Sequence, residues 1–270
     1  MVARIVPEGA PDGGGRLAVS AVRARHMERR QPCPAGEALA VSVASRSAMD
    51  GRFRGGDLFD VLVRSNGSTS VLLADVSSKG RLGVAHAGLL RAAFLRAAER
   101  SHDPARILRE LNGVRLDAPG AGLSSSFASA FVATIERNGS LLRYASAGHD
   151  PALILHPQSG RGPSHHRLAP TGPVIGIIRE ASYIECVEAF DAGDALLLAT
   201  DGFTECRSAL DHVTQFGSAG ILAALEHDTT RTIAGAAALV ARKADEFTGG
   251  RYRDDATVAL VRRRANDRAR

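Results

Sequence analysis

Between about residues 40 and 263, short apolar runs alternate with turn residues. The apolar runs on either side of Asn66-Gly67 predict a β-hairpin with a tight type I′ turn, because Asn and Gly tolerate the positive φ that both central positions of that turn need. The same pattern returns as Phe127 to Glu136, Asn138-Gly139 and Leu141 to Ala147, a second hairpin. Val41 and Val43 mark a short alternating strand before the first hairpin, and 152–156, 183–190, 195–199 and 256–261 read as further strands. A helical period takes over between these blocks. Leu82 to Ala98 carries Val84, Leu89, Leu90, Ala93 and Leu95 at roughly helical spacing. A shorter helix follows with Asp103 as N-cap, Pro104 at its first position and Ile107, Leu108 and Leu111 as its apolar side. Two more helices are expected over 218–225 and 230–247. Consecutive hairpins with helices inserted between blocks of strands favour an α+β fold of antiparallel sheets over a doubly wound parallel sheet.

Composition narrows this picture. A chain of 270 residues with 44% hydrophobic content suits one large layered domain, and with only 4% aromatics and no Trp its core must be mainly aliphatic. Residues 1–39 read as a flexible segment rich in Gly, Pro and Arg, with a short helix over 17–30 that Pro32 and Pro34 stop. The domain itself is expected over 40–264, followed by a basic tail, 265–270. Cys33, Cys186 and Cys206 are widely spaced and odd in number, which points to a reducing cytoplasm and structural thiols. No apolar run approaches the roughly 20 residues of a membrane span, and Met1 opens no export leader. The net charge of +5 is concentrated at the two ends, and there is no aromatic platform, so nucleic acid is set aside as a partner.

The candidate chemistry lies in a recurring position, an acidic residue where a buried strand meets a loop: Asp57, Asp75, Asp201, and Asp254 or Asp255. Any one of them alone is an ordinary turn or cap residue. Together they need a compensating charge, because clustered carboxylates do not all stay ionised unless a cation sits among them, and hard oxygen ligands suit Mn or Mg. His149 follows a turn glycine and reads as a hydrogen-bonding structural residue, while His165 and His166 read as an exposed loop pair.

The motifs GGDLFD, DVSSKG, FASAFVATIE, SAGHDPALIL, GPVIGI, LLLATDGFTE and DDATVALV resemble, in this order, those of the SpoIIE-like branch of the metal-dependent PPM serine/threonine phosphatases. The resemblance implies a four-layer α-β-β-α sandwich of two mainly antiparallel sheets flanked by helices. It also implies two ions of Mn or Mg, and hydrolysis of phosphoserine or phosphothreonine by a metal-activated water. Carried onto this chain, Asp57, Asp75, Asp201 and Asp254 match the catalytic metal-binding carboxylates, and the Val76 carbonyl matches a main-chain ligand. Asp255 is the neighbouring acid, and Asp60 matches the second acid of the first motif, available for the surrounding shell or a further metal. Ser78 stands where many relatives have glycine. By the same resemblance the substrate is a small phosphorylated anti-sigma-factor antagonist. Separately, from length and position alone, control is expected from an activating protein partner, and the scattered apolar positions of 17–30 make that segment a candidate contact for a partner or a second copy of the chain. The alternative of another class is a catalytically silent phosphoprotein-binding module on the same fold.

Overall fold

The computed structural model describes residues 39–48, 56–78, 80–117, 126–137, 140–149, 151–157, 164–226 and 235–264. The helix expected over 17–30, Cys33, Lys79, the Asn138-Gly139 turn and the basic tail lie outside the described residues.

Ten strands form two five-stranded sheets. One has the order β1 (Leu39–Arg46), β10 (Ala256–Arg263), β9 (Ala195–Ala199), β6 (Ala152–His156), β7 (Ser164–Arg167). The other runs β2 (Leu58–Val63), β3 (Thr69–Val76), β4 (Ala128–Ile135), β5 (Leu141–Ala147), β8 (Cys186–Ala189). Every paired strand in both sheets is antiparallel, as the hairpin-rich sequence predicts. Both faces of each sheet are covered, so the central strands are buried throughout: β9 is ALLLA with all five residues inaccessible. Alternation along each strand sorts side chains into layers. Leu58, Leu62, Leu72, Ala74 and Val76 pack beneath α1 (Gly80–Arg100) and α2 (Pro104–Leu116), beside Leu90, Phe94, Ile107, Leu108 and Leu111. Leu197, Ala199, Val258 and Leu260 pack beneath α4 (Gly217–Glu226) and α5 (Ala236–Thr248). Between the sheets lie the residues of opposite parity, Phe59, Val61, Val71, Leu73, Phe131, Leu196, Leu198, Ala259 and Val261, with Phe131 stacked on Tyr144 at 5.4 Å. This is the expected four-layer α-β-β-α sandwich.

Several local expectations change. The first hairpin does not close through a type I′ turn. Val63 pairs with Thr69, Arg64 N–H donates to the Ser68 carbonyl at 2.9 Å and Gly67 N–H to the Arg64 carbonyl at 2.8 Å. Only Gly67 has positive φ, +82°, so the connection is a type I turn followed by a left-handed glycine, and Asn66 serves through its side chain, accepting the Ser68 N–H at 2.9 Å. On α1 the buried stripe is Gly83, His86, Ala87, Leu90, Ala93, Phe94, Ala97 and Ala98; Val84 is exposed, and Leu89 and Leu95 are half-buried. Strand β8 begins only at Cys186, and His165 and His166 lie on a strand, β7, the exposed edge beside β6. Asp103 and Pro104 cap α2 as expected, with Asp103 Oδ1 accepting the Ala105 and Arg106 N–H groups. Among the described residues no helix is long and apolar enough to cross a membrane.

Asp60 has the parity of Leu58 and Leu62, so it points under α1, away from the inter-sheet layer. There its buried carboxylate meets Arg91 Nε at 2.7 Å and accepts the Val61 N–H at 2.9 Å. It tethers the first hairpin to α1. Removing one member of a buried pair leaves the other uncompensated, though Arg91 is 30% exposed and regains some hydration. Asp60→Asn is therefore expected to lower stability by about 1–3 kcal/mol in urea unfolding, while leaving the Mn²⁺ dependence of the folded protein unchanged.

Candidate functional site

The inter-sheet layer ends in polar residues. Asp57 shares the parity of Phe59 and stands one residue ahead of β2; Asp75 shares that of Leu73 near the end of β3. Thr200 continues the parity of Leu196 and Leu198 just beyond β9, and Asp255 and Thr257 continue that of Ala259 at the start of β10. Residues remote in sequence thus meet at one end of the sandwich because each occupies the inward position of its strand.

Three local devices let them meet. Gly56 passes close under β3, its carbonyl accepting the Val76 N–H at 3.3 Å, and a Cβ there would lie 2.3 Å from the Val76 carbonyl oxygen. Gly202 likewise lies against β10, where a Cβ would come 2.0 Å from the Asp255 carbonyl oxygen. Thr200 stands at the N-cap position of the single turn α3 (Asp201–Thr204) without capping it through its side chain, and the turn leaves Asp201 exposed.

Asp57 and Asp75 carry the electrostatic burden. Burial, reinforced by the charge of Asp75, drives the Asp57 carboxyl well above the usual carboxylate range, although hydrogen bonds from Thr257 and Thr200 oppose the rise. Burial, then Asp201 and Asp254, push Asp75 up to about 6. Asp255 adds to both and is itself held by the Ala48 N–H at 3.1 Å, whereas Asp254 Oδ1 accepts the Asp255 N–H at 2.9 Å. Asp75 therefore senses Asp57, Asp201, Asp254 and Asp255, and Asp60 is not among them.

No three His, Cys, Asp or Glu side chains among the described residues already surround a point in metal-binding geometry. Two observations show that the donor set nevertheless fits a hard divalent cation. Asp57 Oδ1 is buried without a hydrogen-bond partner, and the space over the Val76 carbonyl is kept open by a glycine. A carboxylate oxygen and a backbone carbonyl are the ligands Mg and Mn accept.

Ser129, which the motif reading passed over, sits beside this cluster, and the neighbouring loops are tied down by further polar contacts. Ser129 lies opposite Asp75 on β4, and its Oγ is 3.1 Å from Nδ1 of His149, a ring only 1% exposed. The His149 backbone is pinned to Ser146 Oγ, which is the structural role expected for it. Ser77 locks the loop after β3 to the lead into β4, its N–H donating to the Phe127 carbonyl at 2.9 Å and its Oγ accepting the Phe127 N–H at 3.0 Å. Ser78, at the family's glycine position, uses its hydroxyl against His86 Nδ1 at 2.9 Å, with Ser126 Oγ also 3.0 Å from that nitrogen. A serine at 78 thereby anchors the loop to α1. The Cys206 thiol is buried, pushed to about 11 by burial, and donates to the Phe203 carbonyl, so it is no nucleophile.

A carboxyl raised on folding binds its proton more tightly in the native state than in the unfolded chain. Metal-free protein should accordingly lose stability as pH rises from about 4 through about 6, the range in which Asp75 titrates, and Asp57, raised in the same sense, adds to the fall. Asp75→Asn should remove much of that fall and raise metal-free stability at pH 7.5 by on the order of 2 kcal/mol in chemical unfolding with EDTA present.

Comparison with known proteins bears on the fold and the family. Residues 65–264 match the family described as Stage II sporulation protein E (SpoIIE), a stretch that contains Asp75, Asp201 and Asp254 and begins after Asp57. Phosphoserine phosphatase RsbU of Bacillus subtilis is 29% identical over 178 residues, 65% of this chain and 49% of that protein, so the match spans about half of the relative. The SiaA-PP2C domain of Pseudomonas aeruginosa superposes with a TM-score of 0.69 at 21% identity, covering 83% of this chain and 86% of that one. The RsbU and RsbW domains of Rv1364c from Mycobacterium tuberculosis give a TM-score of 0.66 at 21% identity, over 84% and 62% of the two chains. Those structures share the fold, and the sequence match, which takes in both helical layers and most strands of each sheet, shows that this chain belongs to the SpoIIE family.

Proposed function

We propose that the chain is a metal-dependent protein serine/threonine phosphatase that hydrolyses phosphoserine or phosphothreonine. The observation that carries this reading is the convergence of Asp57, Asp75, Asp201, Asp254 and Asp255 at one end of the two sheets, held there although burial and mutual repulsion drive Asp57 and Asp75 toward protonation. Such a cluster is costly in a binding module and useful around cations. The likeness to a protein named phosphoserine phosphatase supports the same chemistry.

Asp57, Asp75, Asp201, Asp254 and the Val76 carbonyl would hold two ions of Mn or Mg. When bound, the ions supply hydroxide near neutral pH and positive charge for the phosphoryl oxygens in an in-line displacement. The chain's own contribution is placement. Asp57 and Asp75, at the ends of adjacent strands of one sheet, form the half-buried floor, while Asp201 and Asp254 approach from the other sheet. Exposed Asp201 leaves the rim open to a phosphorylated side chain on a protein surface. The buried, high-pKa thiol of Cys206 is unsuited to a cysteinyl phosphoenzyme, and hydrolysis by a metal-activated water needs none. Family resemblance supports a small phosphorylated anti-sigma-factor antagonist as the substrate.

Phosphate release from phosphorylated candidate antagonists and from a phosphoserine peptide, measured with Mn²⁺, Mg²⁺ or EDTA, tests the reading. Turnover should require the metal, and Asp201→Asn should reduce it by at least about 100-fold. Tight binding of the phosphoproteins with no release by the wild type under any metal would instead establish a silent phosphoprotein-binding module.

A further inference from the structure

Thr200 lies where the two halves of the site meet, and the residue is 1% exposed. Its backbone N–H donates to the Thr257 carbonyl at 2.9 Å, fixing the end of β9 against β10. Its Oγ1 accepts the Thr257 N–H at 2.8 Å and lies 2.8 Å from Asp57 Oδ2, against 3.4 Å from the Thr257 carbonyl. A hydroxyl has one proton to give. With a lone pair taken by the Thr257 amide, the shorter contact assigns that proton to Asp57 Oδ2. The hydrogen bonds therefore run in one direction, from the β10 main chain through Thr200 to a carboxylate of the other sheet.

The consequence for Asp57 is geometric. Oδ2 is engaged as an acceptor of the Thr200 hydroxyl, the Thr257 side chain steadies the same carboxyl, and Oδ1 is the oxygen left buried without a hydrogen-bond partner. We propose that Thr200 is a positioning residue for metal binding, whose hydroxyl orients Asp57 so that Oδ1 is presented to a divalent cation. The assignment rests on the proposed metal-dependent reading of the site. It also gives Thr200 a job that its neighbour Asp201, as a ligand, does not share. Partners one shell out from a ligand fix its orientation, and their loss typically lowers metal affinity by about 10–100-fold.

The test is Mn²⁺ titration of the metal-free protein by calorimetry, alongside phosphate release, for wild type, Thr200→Val and Thr200→Ser. Valine keeps the branched shape without the hydroxyl; serine keeps the hydroxyl without the methyl. Thr200→Val should bind Mn²⁺ about 10–100-fold more weakly, with the activity loss appearing mainly in the Mn²⁺ concentration needed for half-maximal rate. Thr200→Ser should remain within about threefold of wild type in affinity, since it restores the same hydrogen bond. Circular dichroism checks folding, and Thr200→Ala is read in place of valine should the valine variant not fold. Wild-type affinity in a folded hydroxyl-free variant overturns the positioning role while leaving a phosphatase intact, as does an equal loss in the serine variant. Weakened Mn²⁺ binding in Thr200→Val beside a wild type that binds Mn²⁺ but releases no phosphate keeps the positioning role and overturns the phosphatase reading. A wild type that binds neither Mn²⁺ nor Mg²⁺ overturns both.

Discussion

Like charge brought together at the end of an apolar sandwich is the constraint from which most of this structure follows. Asp57 and Asp75 are raised first by burial and then by neighbouring carboxylates, so the site opposes its own assembly unless a cation is present. What forces the groups together is the packing behind them. Phe59, Val61, Leu73, Phe131, Leu196, Leu198 and Ala259 bury an inter-sheet layer that has no alternative register, because a slip of one residue would send every one of them to the helix side. Burial of a single such side chain contributes about 1.5–3 kcal/mol, so the layer as a whole outweighs the repulsion at its end. The carboxylates are carried in by strands whose positions are decided elsewhere.

The same parity explains why one acid of the first motif differs in role from the other. Asp57 and Asp60 are three residues apart, an odd number, and must face opposite sides of their sheet. One reaches the space between the sheets, and the other is buried beneath α1 against Arg91. Asp60 is thus part of the device that holds the hairpin to the helix layer. Its charge is met within the protein, whereas the partnerless Oδ1 of Asp57 is suited to an ion from outside.

Much of the fold was legible in the sequence because it is written in periodicities. Two hairpins, the fully apolar run 195–199 and the Asp103-Pro104 helix start each have a local signature, and each appears where that signature stands. The misreadings arise where a local signal is shared by two structures. Asn-Gly suits a type I′ turn and also a type I turn closed by a left-handed glycine, and the choice fell to the five residues that the strand register left between Val63 and Thr69. On α1, Val84 and Leu95 are as apolar as Leu90, but only the two layers beneath the helix determine which side is covered, and small residues such as Gly83 and Ala97 turned out to be the buried ones. Ser164–Arg167 has no strand-like composition at all; it is a strand because β6 offers it an open edge.

The candidate site was legible in a different way, as residue types at strand ends, and this accounts for what the motifs missed. Carboxylates announce themselves, whereas a threonine before an Asp-Gly pair does not. Thr200 acquires its significance only when β9 is set beside β10 and β2 is brought across from the other sheet, since its two partners, Thr257 and Asp57, are remote from it in opposite directions along the chain. Gly56 and Gly202 are silent in the same sense: their value is the missing Cβ, and it becomes visible only against the Val76 and Asp255 carbonyls that a side chain would strike. A site assembled from both sheets therefore needs two kinds of residue. Charged ones supply the chemistry, and small or singly hydrogen-bonding ones let the two sheets approach and fix which oxygen each carboxylate presents. A substitution of the second kind leaves every acid in the sequence and still disturbs the site, so intact motifs alone do not establish an intact metal centre.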